Sequence, residues 1–211
     1  VHRRGAMSLA NVAYAPVLTW ANPTVRRLED QAFVPMFGTD PIELGLSRTD
    51  ARFLAALARE PVYQRLFPEA FPEPEPIAVP NITRAIAAFE RTLLSGRSPY
   101  DRYRTTLVES AISPAAHRGQ DLFFSDRVGC FNCHAGFNFA QPVDYVGRTT
   151  FEVTFHNTGL YNTDGRGSYP AADTGVHSVT GDPADMGRFR APTLRNIALT
   201  APYMHDGSIR T

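Results

Sequence analysis

The sequence is short of cysteine, tryptophan, net charge and long hydrophobic runs. Only two cysteines and one tryptophan occur in 211 residues, which excludes a disulfide-rich scaffold. Basic and acidic residues number 21 each, so the formal net charge is zero and nothing favours a nucleic-acid or anionic-membrane partner. No apolar run is long enough for a membrane span, and no signal-peptide pattern is visible. With 43% hydrophobic residues, the composition is that of an ordinary globular protein with a core.

The two cysteines stand close together and are followed directly by a histidine, in Cys130-Phe131-Asn132-Cys133-His134. This C-x-x-C-H pattern is typical of covalent attachment of a c-type haem. Thiols at this spacing reach the two vinyl groups of one porphyrin, and the adjacent imidazole then lies under the iron as its proximal ligand. The sequence therefore predicts haem c on Cys130 and Cys133, with His134 bound to the iron.

Three other interpretations of the cysteine pair have less support. A thioredoxin-like redox pair normally lies near a β-α-β pattern, and none is visible. A structural zinc site usually needs two such pairs, and this chain has one. A disulfide between Cys130 and Cys133 would close too small a loop to stabilise much.

Seventeen prolines divide the chain into short helices and long loops, which indicates a mainly α fold. The stretch 68–80, with five of these prolines, is expected to be a solvated connection, and 136–190 has no periodicity and is expected to wrap a cofactor. Apolar periodicity and helix-start residues predict six helices, over 25–36, from Ser47, and over 61–66, 81–94, 114–125 and 192–199. Thr24 is expected to cap the first helix, and Ser47 and Asp50 are expected to form a capping box at the second. The expected buried faces are Ile82, Ile86, Phe89 and Leu93 in the helix over 81–94, and Ala115, Gly119, Leu122 and Phe123 in the helix over 114–125.

Several segments together resemble the bacterial di-haem cytochrome c peroxidase superfamily, which includes MauG. Besides the C-x-x-C-H motif, the resemblance is carried by Ser8-Leu9-Ala10-Asn11, Leu18-Thr19-Trp20, Leu28-Glu29-Asp30-Gln31-Ala32, Pro41-Ile42-Glu43-Leu44-Gly45, residues 85–93 and residues 191–207. Within the superfamily, residues 11–23 are most similar to the MbnH-type di-haem enzymes.

The resemblance implies two cytochrome c-like helical domains with long ordered loops, each domain with its own C-x-x-C-H motif. We expect the remainder of the N-terminal, peroxidatic domain in residues 1–110 and the C-terminal, electron-transfer domain in residues 111–211. Because one motif is present and the chain starts at Val1, we expect a piece of a longer protein, incomplete at both ends. The motif for the peroxidatic haem is expected before Val1, and the distal ligand of the C-terminal haem after Thr211.

The resemblance also assigns candidate site residues. Glu43 matches the distal glutamate, which would move protons while peroxide is cleaved, and Gln31 and Pro35 match positions lining the same pocket. Trp20 matches a tryptophan that relays electrons between the two haems, although by itself it would be a core anchor. His2 matches a displaceable histidine of the loop that covers the peroxidatic haem.

Two further groups of residues follow from the same resemblance. Arg195, His205 and His156 match haem-pocket positions, where a guanidinium would pair with a propionate. The side chain of Asn11 and the backbone carbonyls of Thr200 and Pro202 match a calcium site, and oxygen donors suit that cation.

The function implied is reduction of hydrogen peroxide, with electrons from a small redox protein entering through the C-terminal haem. Two alternatives stay open: a MauG-like or MbnH-like enzyme that oxidises aromatic residues of a protein substrate, and a mono-haem electron-transfer cytochrome. Because family members acquire haem c outside the cytoplasm, we expect a periplasmic protein.

Overall fold

The computed structural model describes residues 2–47, 52–141, 143–148 and 153–211. Its strands, β1 (Phe155–His156) and β2 (Phe189–Arg190), form one antiparallel pair in which His156 lies opposite Phe189. The prediction of a mainly α fold is confirmed. The helices are α1 (Leu28–Phe37), α2 (Arg52–Arg59), α3 (Pro61–Ala70), α4 (Val79–Glu90), α5 (Pro99–Thr106), α6 (Pro114–Phe123) and α7 (His177–Thr180). No helix within the described ranges is long and apolar enough to cross a membrane.

Helix α1 is packed against α4 and is the centre of the N-terminal core. Its residues Leu28, Ala32 and Met36 are buried, as the apolar periodicity predicts. The predicted cap is wrong: α1 begins at Leu28, and the Thr24 hydroxyl instead donates to Asn22 Oδ1 at 2.7 Å. Thr24 is thus held in the preceding turn, where its side chain does not reach the free N–H groups of the helix.

The segment between α2 and α4 is more ordered than predicted. Pro61 opens α3 as expected, but α3 continues to Ala70 because the buried Phe67 anchors its last turn. The solvated connection predicted for 68–80 is wrong in part, since Phe71 and Ile77 pack against the core. Asn81 Nδ2 also donates to Glu73 Oε2 at 2.7 Å, which ties this connection to α4. Residues 48–51, including the predicted cap residue Asp50, lie outside the described ranges.

The buried face of α4 agrees only in part with the predicted one, since Ile82 is buried as predicted. Ile86 is 37% exposed and Phe89 63% exposed, whereas Ala87 is fully buried against Leu28 and its neighbours. A small side chain at position 87 lets α1 approach closely, so packing outweighs the larger apolar residues. The predicted inward face of α6 is also wrong in part: Phe123 packs against Phe139 as predicted, but Ala115, Gly119 and Leu122 are exposed. The other ring through which this helix contacts the protein is that of His117, which lies against Tyr103.

Two other helical segments after residue 95 differ from the sequence-based prediction. Helix α5 was not predicted, although Ser98 and Asp101 form a capping box with Pro99 at the first helical position. The helix predicted over 192–199 is only a 3-10 turn, Ile197–Leu199, because Asn196 takes a left-handed conformation with φ 59°.

Residues of the aperiodic stretch 136–190 form a small core together with Trp20 and Ala21. Ala21, Tyr169, Val176 and Phe189 are buried together, with Trp20 packed against them. Gly187 makes this close packing possible: its φ is +67°, and an added Cβ would lie 2.2 Å from Tyr169 Cε2. Several residues of this stretch therefore pack in the same cluster as Trp20.

Candidate functional site

Helix α6 leads directly into the C-x-x-C-H motif. Ser113 caps the helix by accepting from the Ala116 N–H at 3.2 Å. After Gly129, in a left-handed conformation with φ 67°, residues Cys130–Asn132 form a 3-10 turn. Both cysteines are half-buried free thiols, and burial, with repulsion from Cys130, raises the pKa of Cys133. A raised pKa is not typical of a catalytic redox cysteine, so Cys133 does not have the environment of a disulfide-exchange nucleophile.

The imidazole of His134 is held in one orientation. Its Nδ1 lies 3.0 Å from the carbonyl oxygen of Phe139 and donates to it. Because Nδ1 carries the proton, the lone pair is on Nε2, which is the arrangement of a histidine that binds a metal. Two thiols and one oriented imidazole form a donor set that fits haem c.

Arg195 fixes the loop that carries Phe139. Its Nε donates to the Phe137 carbonyl at 3.0 Å, and its Nη1 donates to Asp101 Oδ2 at 2.6 Å. Arg195 is only 6% exposed. The hydrogen bond from Arg195 lowers the pKa of Asp101 to about 2. This ion pair therefore connects α5 to the loop beside His134.

His156, on β1, lies within electrostatic reach of His134. Burial is the main cause that lowers the pKa of His156, and the positive charge of Arg188 lowers it further, which favours the neutral imidazole. Its Nε2 is buried and has no hydrogen-bond partner among the described residues. A buried nitrogen without a partner is a costly feature in a structural histidine, and it fits a pocket that contacts a bound group.

Trp20 lies in an aromatic cluster with His205. The two ring centroids are 6.5 Å apart at an interplanar angle of 70°, and His205 stacks on Phe189 with centroids 3.7 Å apart. Trp20 Nε1 donates to the Gly5 carbonyl at 2.8 Å, and the Gly5 N–H donates to the His205 carbonyl at 2.7 Å. Burial lowers the pKa of His205, although Asp173 and Asp206 oppose this effect. The chain thus brings Trp20 and His205 together.

Glu43, Gln31 and Pro35 are brought to one region by α1. Gln31 and Pro35 are one turn apart on the helix, and the Leu44 N–H donates to the Pro35 carbonyl at 3.0 Å. The loop with Glu43 is therefore tied to α1. His2 Nε2 lies 3.0 Å from Glu43 Oε1, so the N-terminal segment contacts the same carboxylate.

Asn11 is fully buried, and its side chain bridges two segments. Its Oδ1 accepts from the Ser95 N–H at 2.7 Å, and its Nδ2 donates to the Ser95 carbonyl at 2.7 Å and to Asn138 Oδ1 at 3.1 Å. A cleft of about 670 Å³ opens beside it. Thr200 and Pro202 are exposed in the C-terminal segment. Within the described ranges no three His, Cys, Asp or Glu residues cluster as a metal site, so an ion here would depend on amide and carbonyl oxygens.

Sequence reasoning missed several partners of these residues. The Ser98–Asp101 capping box was a visible sign of α5, which supplies the carboxylate that pairs with Arg195. The Phe139 carbonyl, which orients His134, has no sequence sign, because any residue carries a carbonyl oxygen. Tyr161 and Asp173 around His205 were not predicted either.

Comparisons with known proteins identify the family. The family model described as di-haem cytochrome c peroxidase matches residues 1–107. The chain is 33% identical over 202 residues to the methylamine utilization protein MauG of Methylorubrum extorquens, with 94% of this chain covered. It is 35% identical over 184 residues to the cytochrome c peroxidase Ccp of Escherichia coli, with 87% covered. The chain belongs to the di-haem cytochrome c peroxidase and MauG family.

A solved structure is similar over the entire chain. It is described as a crystal structure of a MauG-like protein associated with microbial copper homeostasis, and it shares 45% of its residues with this chain at a TM-score of 0.95. This chain spans 60% of that structure, 50% of the Methylorubrum MauG and 36% of the Escherichia coli peroxidase. It therefore spans about half of the length of its relatives.

Proposed function

We propose that this chain is part of a di-haem c-type oxidoreductase that reduces hydrogen peroxide, with electrons entering at the haem bound by His134. The observation that carries the proposal is the C-x-x-C-H turn with His134 oriented by Phe139, in a chain that belongs to the peroxidase family. The chain has one such motif, so the second haem of the di-haem unit would be held by residues outside these 211.

The C-x-x-C-H segment would hold the haem through its own residues. Cys130 and Cys133 would form the two thioethers, and His134 Nε2 would bind the iron, which supplies one-electron redox chemistry when bound. Arg195 would keep the Phe139 carbonyl in place and so maintain the orientation of His134. His156 is proposed to contact the haem, because its buried Nε2 has no partner among the described residues.

The peroxide reaction is proposed to use Glu43. A carboxylate can accept a proton from the oxygen nearest the iron and return it to the departing oxygen. Gln31 and Pro35 would line the pocket, and His2 would cover it until it moves. The 3.0 Å contact of His2 with Glu43 supports this arrangement.

Trp20 is proposed to relay electrons between two domains, one ending near residue 110 and the other comprising 111–211. Its position supports the proposal, because it lies in the first part of the chain but packs against Tyr169 and Phe189 of the second. His205 would hold this junction through its contact with Trp20.

Absorption spectroscopy of the di-haem protein containing this chain tests the proposal. Stoichiometric hydrogen peroxide should change the haem bands, and a reduced small redox protein should restore them with repeated turnover. A haem spectrum that is indifferent to peroxide would contradict the proposal and favour a mono-haem electron-transfer cytochrome.

A second candidate is a MauG-like enzyme that oxidises aromatic residues of a protein substrate. The 45% identity to a MauG-like protein and the similarity to MauG itself favour it. The two functions differ in the source of the electrons. If peroxide-treated protein is reduced by a candidate protein substrate, and mass spectrometry finds oxidised aromatic residues in that substrate, the second candidate is correct.

Two further properties belong to this proposal. A calcium ion would be bound by the Asn11 side chain and the carbonyls of Thr200 and Pro202, with water completing its shell.

The protein would act in the periplasm, where its relatives acquire haem c. Fractionation of expressing cells with a cytoplasmic marker tests this location.

A further inference from the structure

The aromatic cluster around Trp20 extends to Tyr161. The Tyr161 ring centroid lies 6.4 Å from that of His205 and 5.5 Å from that of Tyr169. His205 in turn lies 6.5 Å from Trp20. Packed rings thus connect the only tryptophan of the chain with a tyrosine that the proposed function does not use.

The Tyr161 hydroxyl donates a short hydrogen bond to Asp206 Oδ2. This contact joins residues 45 positions apart, so it is made by the fold and not by a local turn. The carboxylate raises the pKa of Tyr161, because removing the phenolic proton would place two negative charges together. Burial pushes the pKa of Asp206 upwards, but the hydrogen bonds from Tyr161 and Ser208 outweigh it, and the pKa is lower than usual. Asp206 is therefore ionised at neutral pH and available as a base.

The neighbouring Tyr169 provides an internal comparison. Its hydroxyl donates to Asn157 Oδ1 at 3.1 Å and accepts from the Leu160 N–H at 3.1 Å. An amide oxygen is too weakly basic to accept the proton that an oxidised phenol releases, whereas a carboxylate can accept it. Of the two tyrosines in this cluster, Tyr161 is the one whose hydroxyl is bonded to a base.

We propose that Tyr161 is a redox-active tyrosine, which is oxidised by one electron through the Trp20 cluster while Asp206 takes its proton. The proposal rests on the proposed function, since the oxidant is the haem centre after its reaction with hydrogen peroxide. The geometry that carries it is the Tyr161–Asp206 hydrogen bond at the end of the aromatic cluster.

The step balances in electrons and protons. Tyr161 loses one electron, which reduces the peroxide-oxidised haem centre by one equivalent, and the phenolic O–H bond breaks. The proton moves to Asp206 Oδ2, leaving a neutral tyrosyl radical beside a carboxylic acid. An electron from a donor, together with the same proton, restores Tyr161.

Electron paramagnetic resonance of the di-haem holoprotein tests this assignment. The protein is mixed with hydrogen peroxide, frozen within milliseconds to seconds, and examined for a tyrosyl signal. A sample with ring-deuterated tyrosine should show a narrower signal, which identifies the radical as tyrosyl. Optical spectra of the same samples report separately whether the haems have reacted with peroxide.

Three variants locate the radical. Tyr161→Phe should lose the signal, and Asp206→Asn, which keeps a hydrogen-bond acceptor but not a base, should reduce its yield. Tyr63→Phe, in α3 and outside the cluster, should keep the signal at the wild-type level. Haem absorption of each variant before peroxide is added shows that it is folded.

The outcomes separate this inference from the function on which it rests. If the haems react with peroxide but no tyrosyl signal forms, or if the signal persists in Tyr161→Phe, the assignment of Tyr161 is wrong and the proposed function stands. If the haems do not react with peroxide, the oxidant is absent and both proposals fail.

Discussion

His2 Nε2 lies 3.0 Å from Glu43 Oε1, and both side chains are partly exposed. Even a fully charged pair at such exposure contributes only about 0–1 kcal/mol, so this contact can break without a large cost in stability. The structure therefore joins the N-terminal segment to the proposed catalytic carboxylate by a contact that is weak enough to open.

Replacing Glu43 by Gln in the di-haem protein removes the proposed proton carrier but keeps the shape of the side chain. We expect both haems to stay bound and the reaction with peroxide to slow by on the order of 100-fold, the usual contribution of a general acid–base residue. Stopped-flow absorption measures this rate. Glu75→Gln, at an exposed glutamate, is the control and should react normally; unchanged kinetics in Glu43→Gln would remove Glu43 from the mechanism.

Replacing Trp20 by Phe removes the indole but keeps an aromatic ring. The variant loses the 2.8 Å hydrogen bond to the Gly5 carbonyl. That loss should lower the free energy of unfolding by about 1 kcal/mol, so the protein still folds. Electron transfer between the haems should be slower than in the wild type, as followed by flash photolysis of the reduced protein. If transfer proceeds at the wild-type rate, the relay role of Trp20 is wrong.

The ion pair between Arg195 and Asp101 predicts a pH dependence of stability. In the folded protein the pKa of Asp101 is about 2, below its ordinary value of 3.8. A lowered pKa stabilises the fold above pH 3.8, and the effect is lost as the pH falls towards 2. The stabilisation that disappears is on the order of 2 kcal/mol.

Asp101→Asn tests this pair. It leaves the Arg195 charge buried without its carboxylate, so we expect the free energy of unfolding at pH 7 to fall by about 3 kcal/mol. The loss of stability between pH 4 and pH 2 should be smaller in this variant than in the wild type. Denaturant unfolding at several pH values measures both effects, with Asp121→Asn, at an exposed position on α6, as the control. Equal stability of Asp101→Asn and wild type at pH 7 would contradict a structural role of the pair.

The proposed calcium site can be tested by elemental analysis. The purified di-haem protein should contain calcium, and removing it with a chelator should lower the thermal unfolding temperature. Asn11→Ala should lose the ion and also leave the partly buried backbone groups of Ser95 without this partner, at a cost of about 1 kcal/mol. Active protein without calcium would contradict the site.

Local chemistry explains which parts of the fold could be predicted from the sequence. The start of α3 and the buried face of α1 follow from a proline at the first helical position and from 3.6-residue periodicity. The buried face of α4 follows only in part: the burial of Ile82 agrees with the periodicity, but the burial of Ala87 depends on how closely α1 approaches it. The same holds for residues 136–190, whose core depends on Gly187 and on contacts with the distant Trp20.

The candidate site also has residues that the sequence identifies and partners that it does not. The C-x-x-C-H motif defines its own chemistry, so Cys130, Cys133 and His134 could be identified directly. Their supporting partners depend on tertiary contacts: the Phe139 carbonyl orients His134, and Asp101 holds Arg195 from another helix. Tyr161 and Asp206 are 45 positions apart, and no local pattern relates them.

Mass spectrometry of this chain, produced in a host that attaches haem c, tests the central claim most directly. The account predicts that the intact chain has gained the mass of one haem, and that peptides containing Cys130 and Cys133 carry it. Cys130→Ala together with Cys133→Ala should abolish the gain. Unmodified thiols or a Cys130–Cys133 disulfide in the wild-type chain would contradict it.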